Sequence, residues 1–151
     1  MTTIIAITTI CYLCYSIWIT GGVPESLSAT YYSLKEDGWI FQLLCIGVGF
    51  GLLPGWLDAC EGEYEFLAFL SCGGLMFVGA APMFRLKLEG IIHYSAAAVC
   101  CVCAILWMLL SGNYPIVLWW SFLGWMLYLK FGQWCWWLEI SVICGILTSL
   151  I

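Results

Sequence analysis

The chain has 151 residues, 64% of them hydrophobic and only 9% charged, with a mean hydropathy of +1.04, whereas soluble domains carry roughly 25% charged residues. A chain this short buries only part of its apolar surface, so water is the wrong solvent for what would remain exposed. Nine acidic against four basic residues leave a net charge of −5, which excludes the cationic surface of a nucleic-acid binder. The expected class is all-α: a single polytopic transmembrane domain over residues 1–151, a bundle of about six helices.

The first run, Thr3–Thr20, follows Met-Thr-Thr with no basic residues before it. It therefore reads as a retained helix rather than a cleaved signal peptide. Gly21-Gly22-Val23-Pro24 ends it. The segment from Pro24 to Leu34 is rich in hydroxyls yet too apolar for a free loop, and is expected to form a short re-entrant or interfacial helix. After Lys35-Glu36-Asp37-Gly38 comes a second helix, Trp39–Trp56. Gly47, Gly51 and Gly55 share one face of it, and Pro54 is expected to kink its outer end. The acidic stretch from Asp58 to Glu65 lacks the spacing of a calcium loop and reads as a solvated connection.

A third helix is expected over Glu65–Phe84, a loop over Arg85–Gly90 and a fourth helix over Ile91–Leu110. Ala96, Ala97, Cys100, Cys101 and Ala104 give the fourth helix a small-residue surface, which suggests pairing with the glycine face of the second. The same glycine face would also suit a homo-oligomer or a membrane-protein partner. Ser111-Gly112-Asn113-Tyr114-Pro115 leads into a fifth helix, Pro115–Phe131, and Gly132 into a sixth, Gln133–Ile151. A connection this tight predicts an antiparallel hairpin. Five crossings is the alternative, if one of these last two runs lies in the interface.

All four basic residues fall in alternate loops: Lys35, then Arg85 and Lys87, then Lys130. The excess of Lys and Arg in cytoplasmic loops predicts that these loops face the cytoplasm and that both termini lie outside. Trp18, Trp39, Tyr128, Trp134, Trp136 and Trp137 near the inner helix ends, and Trp56, Tyr64, Tyr114, Trp119 and Trp120 near the outer ones, read as interfacial belts. Nine of the ten cysteines lie in apolar runs and only Cys60 in a predicted loop, so they read as packing residues rather than a disulfide framework.

Polar groups at membrane depth are the best pointers to function. Glu139 stands about 10 Å beyond the turn at Gly132 among Trp136, Trp137, Leu138 and Ile140. There it is expected to be neutral or to pair with a donor on another helix. His93, the single histidine, lies about 5 Å beyond Gly90 on the same side. Ser26, Ser28, Tyr31 and Tyr32 would face helix ends carrying Arg85, Glu89 and His93. These residues and Glu139 make a candidate polar pocket for a lipid head group, with Arg85 and Lys87 meeting phosphate. One histidine cannot supply a zinc or bis-histidine haem set, and no metal or other cofactor is expected. No G-x-S-x-G elbow, P-loop or dinucleotide fingerprint occurs.

Ser26-Leu-Ser28-Ala-Thr-Tyr31-Tyr32, Gly79-Ala-Ala-Pro82 and His93-Tyr-Ser-Ala-Ala97 resemble, in that order, the motifs of a family of small uncharacterised bacterial six-helix membrane proteins. That family has a serine/tyrosine motif after its first helix and an H-x-x-x-A motif in its fourth, and looks distantly like the alkaline-ceramidase-type membrane hydrolases. The resemblance implies a related fold in a bacterial cytoplasmic membrane and a site near Ser28 and His93. The superfamily's further histidines are missing, and Asp58 is expected on the opposite side from His93, so zinc-dependent hydrolysis is not implied. Three activities follow as expectations. The first is a non-enzymatic protein binding a membrane lipid or partner. The second is a metal-independent lipid enzyme with His93 as base and Ser28 or Glu139 as partner. The third is a channel or proton-coupled transporter using Glu139.

Overall fold

The computed structural model describes residues 2–151. Apolar runs satisfy their backbone groups most simply within a helix. The described residues accordingly form seven α-helices and no strand: α1 Thr2–Thr20, α2 Thr30–Ser33, α3 Trp39–Ala59, α4 Glu65–Ala80, α5 Lys87–Leu110, α6 Tyr114–Phe131 and α7 Trp134–Ser149. A 3-10 turn, Lys35–Gly38, leads into α3. Three stretches are long and apolar enough to cross a membrane: Thr2–Thr20, Lys35–Ala59 and Lys87–Leu110. Helices α4 and α7 are shorter and apolar.

Local chemistry explains where the helices stop. Gly21 and Gly112 sit at φ +68° and +78°, a left-handed conformation that glycine adopts without penalty. There the amides of Gly22 and Asn113 close back onto the carbonyls of Ile17 and Met108. The helix expected to run to Phe84 ends instead at Ala80. Pro82 disfavours helical backbone at the residue before it, and Ala81 turns to φ −118°, ψ 62°. The next helix starts earlier than the expected Ile91, at Lys87, and Glu89 in its first turn complements the helix dipole. Helix α3 continues through Pro54 to Ala59, past the expected Trp56. The expected helix over Pro24–Leu34 is mostly turns, with only the single helical turn of α2 near its end. Its hydroxyls compete with helix formation by bonding nearby backbone: Ser26 Oγ accepts the Ala29 N–H at 3.0 Å and Thr30 Oγ1 donates to the Leu27 carbonyl at 2.5 Å.

The expected pairing of the two small-residue helices does not occur, because α4 lies between them and packs closely on both. A Cβ added at Gly49 of α3 would meet the Cys72 carbonyl of α4 at 3.0 Å, and one at Gly74 of α4 would meet the Ala96 carbonyl of α5 at 2.8 Å. Backbones approach this closely only across glycine or other small residues. Of the glycine stripe on α3, Gly51 faces Ile5 and Gly55 faces Thr2 of α1, while Gly47 meets nothing within 4 Å. Helices α6 and α7 form the expected antiparallel hairpin, with Trp120 Nε1 donating to Thr148 Oγ1 at 2.8 Å. Helix α6 buries only Gly124.

The surface is more apolar than the interior requires. Ile4, Phe50, Leu88 and Leu118 are 65–70% exposed, while Ser16, Thr30, Ser71 and His93 are nearly enclosed. The loop after α1, the α4–α5 link and the start of α7 meet at one end of the bundle, tied by Tyr32 to Arg85 and by Leu27 to Glu139. At the other end Trp56 packs edge-on against Trp107 with centroids 5.3 Å apart. The Trp107 indole donates to Cys60 Sγ at 3.1 Å. Cys60 is therefore enclosed rather than a free loop thiol, and burial pushes its thiol above the ordinary value. Trp56 and Trp136, expected in the belts, belong to the core instead, whereas Trp18, Trp39, Trp119 and Trp134 do face outward.

Candidate functional site

The structure brings Ser28 and His93 into direct contact. Pro82 breaks the chain after α4, so the Ala81 carbonyl is free of helical bonding and turns toward α5. His93 Nδ1 lies 2.8 Å from that carbonyl. A carbonyl can only accept, so Nδ1 carries the proton, and in the neutral ring Nε2 accepts the Ser28 hydroxyl, 2.9 Å away. Phe84 and Tyr94 flank the imidazole, with centroids at 5.0 and 5.8 Å. His93 is 2% exposed and Ser28 7%, so the pair is sealed from bulk solvent.

Glu139 reaches the same loop from α7. Its Oε2 accepts the Leu27 N–H at 2.6 Å, a charge-assisted length if the carboxyl is ionised. The donor expected from a neighbouring helix is instead the backbone of the loop after α1. Beneath it, Tyr12 of α1 and Thr30 bond through their hydroxyls at 2.5 Å. The loop from Pro24 to Leu34 is thus pinned to α1, α5 and α7.

The remaining expected residues make no common pocket with these three. Ser26 is spent on the turn at Ala29. Tyr31 packs on Phe41 and Tyr32, at 6.5 and 5.3 Å. Tyr32 accepts the Arg85 N–H at 3.0 Å, and the Arg85 guanidinium lies 4.2 Å over its ring. Arg85 and Lys87 are exposed, and Glu89 is half-buried on the first turn of α5 without a hydrogen-bond partner among the described residues. Among those residues, no cluster of three or more His, Cys, Asp or Glu could hold a metal ion.

Behind Ser28 and Glu139 a narrow cavity of about 100 Å³ runs along the bundle axis. Its walls are apolar, built from Phe41, Val48 and Leu52 of α3, Leu75 of α4, and Ile143 and Ile146 of α7. It spans about 12 Å of α7 between Glu139 and Leu147. The polar groups on the wall beyond the entrance are Ser71, which donates to the Cys100 carbonyl at 2.9 Å, and Thr9 and Trp56.

Sequence reasoning missed Thr9, Trp56 and Ser71. Thr9 could have been found, because Ile5, Thr9, Tyr12 and Ser16, the buried positions of α1, follow helical spacing and place three polar residues on one inward stripe. Ser71 carries no such signal. The carbonyl of Ala81 and the amide of Leu27 lie on backbone whose course depends on tertiary packing. No protein-family model matches the chain, and neither does any curated protein or solved structure.

Proposed function

We propose that the chain is a multi-pass membrane protein of six crossings, α1 and α3 to α7, that holds one lipid molecule in the axial cavity. The cavity bounded by Ser28 and Glu139 at its polar end is the observation that carries this reading. Its apolar walls suit an acyl chain, and the two oxygen-bearing side chains suit the head. No cation lines the cavity at that end, and Arg85 stacks on Tyr32 at the surface. The head group is therefore neutral, a hydroxyl or amide rather than a phosphate. Lys35, Arg85, Lys87 and Lys130 occur on the loops of that same end, which by the positive-inside rule faces the cytoplasm. The bacterial six-helix family that the motifs resemble fits the same placement.

The test is native mass spectrometry of the protein released from nanodiscs. One neutral amphiphile should remain bound per chain in the parent and be depleted in Ala97→Leu, which fills the cavity wall. Thermal stability of the variant should hold, because the added side chain occupies existing space. Recovering no bound molecule, or the bulk phospholipids in their bilayer proportions, would overturn the reading.

One geometry favours a second reading, a serine acyl-transfer enzyme. Ser28, His93 and the Ala81 carbonyl stand in the order nucleophile, base, orienting acceptor at 2.9 and 2.8 Å. Covalent labelling of Ser28 by a fluorophosphonate, abolished in His93→Ala, would favour it over simple binding. An unreactive Ser28 would sink it.

A further inference from the structure

Thr9 and Trp56 are 4% and 2% exposed, both line the axial cavity, and Thr9 Oγ1 and Trp56 Nε1 are buried without a hydrogen-bond partner. Each contrasts with most of its equivalents elsewhere in the bundle. The hydroxyls of Thr8, Ser16, Thr20, Ser141 and Ser149 all donate to the carbonyl one turn back. Thr9 has the same option on the same helix and leaves it unused. The indoles of Trp107 and Trp120 donate to Cys60 and Thr148, whereas those of Trp56 and, outside this cavity, Trp137 are unpaired. A buried donor left unpaired costs about 1–3 kcal/mol, and two around one chamber have a common explanation in its occupant.

We infer that Trp56 forms a second polar subsite at the far end of the cavity, which binds a neutral oxygen on the far part of the lipid held at Ser28 and Glu139, with Thr9 on the wall between them. Trp56 Nε1–H can only donate, so the ligand atom is an acceptor. The ligand class is an amphiphile with a neutral oxygen at each end of an apolar chain, the two separated by about 12 Å, the stretch of α7 from Glu139 to Leu147. Trp56 lies near the C-terminal end of α3, and side chains lean toward the N-terminus of their helix. Its indole is thereby directed back along the cavity toward the entrance.

This inference rests on the axial cavity being a lipid site, and the experiment separates the two. Nanodisc-embedded protein is titrated with nonanediol bearing a hydroxyl at each end and, in parallel, with nonanol bearing one. The indole ¹⁵N–¹H resonance of Trp56, assigned through Trp56→Phe, is the direct readout. The diol should bind about five- to tenfold more tightly than the mono-alcohol and shift the Trp56 resonance downfield. That preference should disappear in Trp56→Phe, leaving nonanediol and nonanol bound about equally. Equal affinities with an unshifted indole would overturn the subsite while leaving the cavity a lipid site. Binding of neither alcohol would overturn both. The wild-type resonance tests the contact even if the variant folds poorly.

Discussion

His93 holds two segments at once, the end of α4 through the Ala81 carbonyl and the loop after α1 through Ser28. His93→Ala should therefore destabilise the protein by about 1–3 kcal/mol, the cost of leaving buried polar groups unpaired. Denaturant unfolding in micelles measures this, and a change within error of zero would mean that neither bond persists in solution. At this scale the sequence was informative where chemistry is rare. A single histidine and a lone carboxyl in an apolar run stand out, and His93, Ser28 and Glu139 all converge on one loop. Arg85 and Glu89 stood out equally but go elsewhere, because a charged side chain at a helix end can turn to the surface without penalty. Thr9 and Trp56 were obscured by ordinary surroundings, a threonine among threonines and a tryptophan at the expected depth of a belt.

Among the elements, α4 organises the rest. Its Ala68, Ser71, Gly74 and Val78 are buried along one stripe, and Gly74 rests directly on the α5 backbone. Gly74→Val should push α4 and α5 apart and cost about 1–3 kcal/mol by overpacking. Gly47→Val, whose Cβ would meet nothing within 4 Å, should be close to neutral in the same denaturation assay. Equal effects at the two positions would contradict the packing order. Helix existence and approximate span were legible from the lengths of apolar runs between turn residues. Partner choice was not, because small residues mark where helices can approach without saying which neighbour does so. The glycines of α3 attracted attention by their regular spacing, while Gly74 and Gly79 of α4, which meet the backbone of α5 and α3, lie five apart and form no repeat.

For the whole molecule, the basic residues make the arrangement testable. Lys35→Cys and Lys130→Cys should both be labelled by an impermeant maleimide only after the cytoplasmic face is exposed. Labelling of the two from opposite faces would refute the six-crossing path. Three stretches long and apolar enough to cross a membrane were readable from hydropathy alone, whereas the cavity was not, since an axial space arises from side chains on α1, α3, α4, α5 and α7 together. The bond between Leu27 and Glu139 joins residues 112 apart. At about 5–20 residues per second of synthesis, the first loop emerges roughly 6–22 s before the carboxylate that anchors it. Until α7 is made, the chamber lacks one wall. A cargo taken up during that interval would be sealed in by the last helix as translation finishes, and loading would then require no later opening of the bundle.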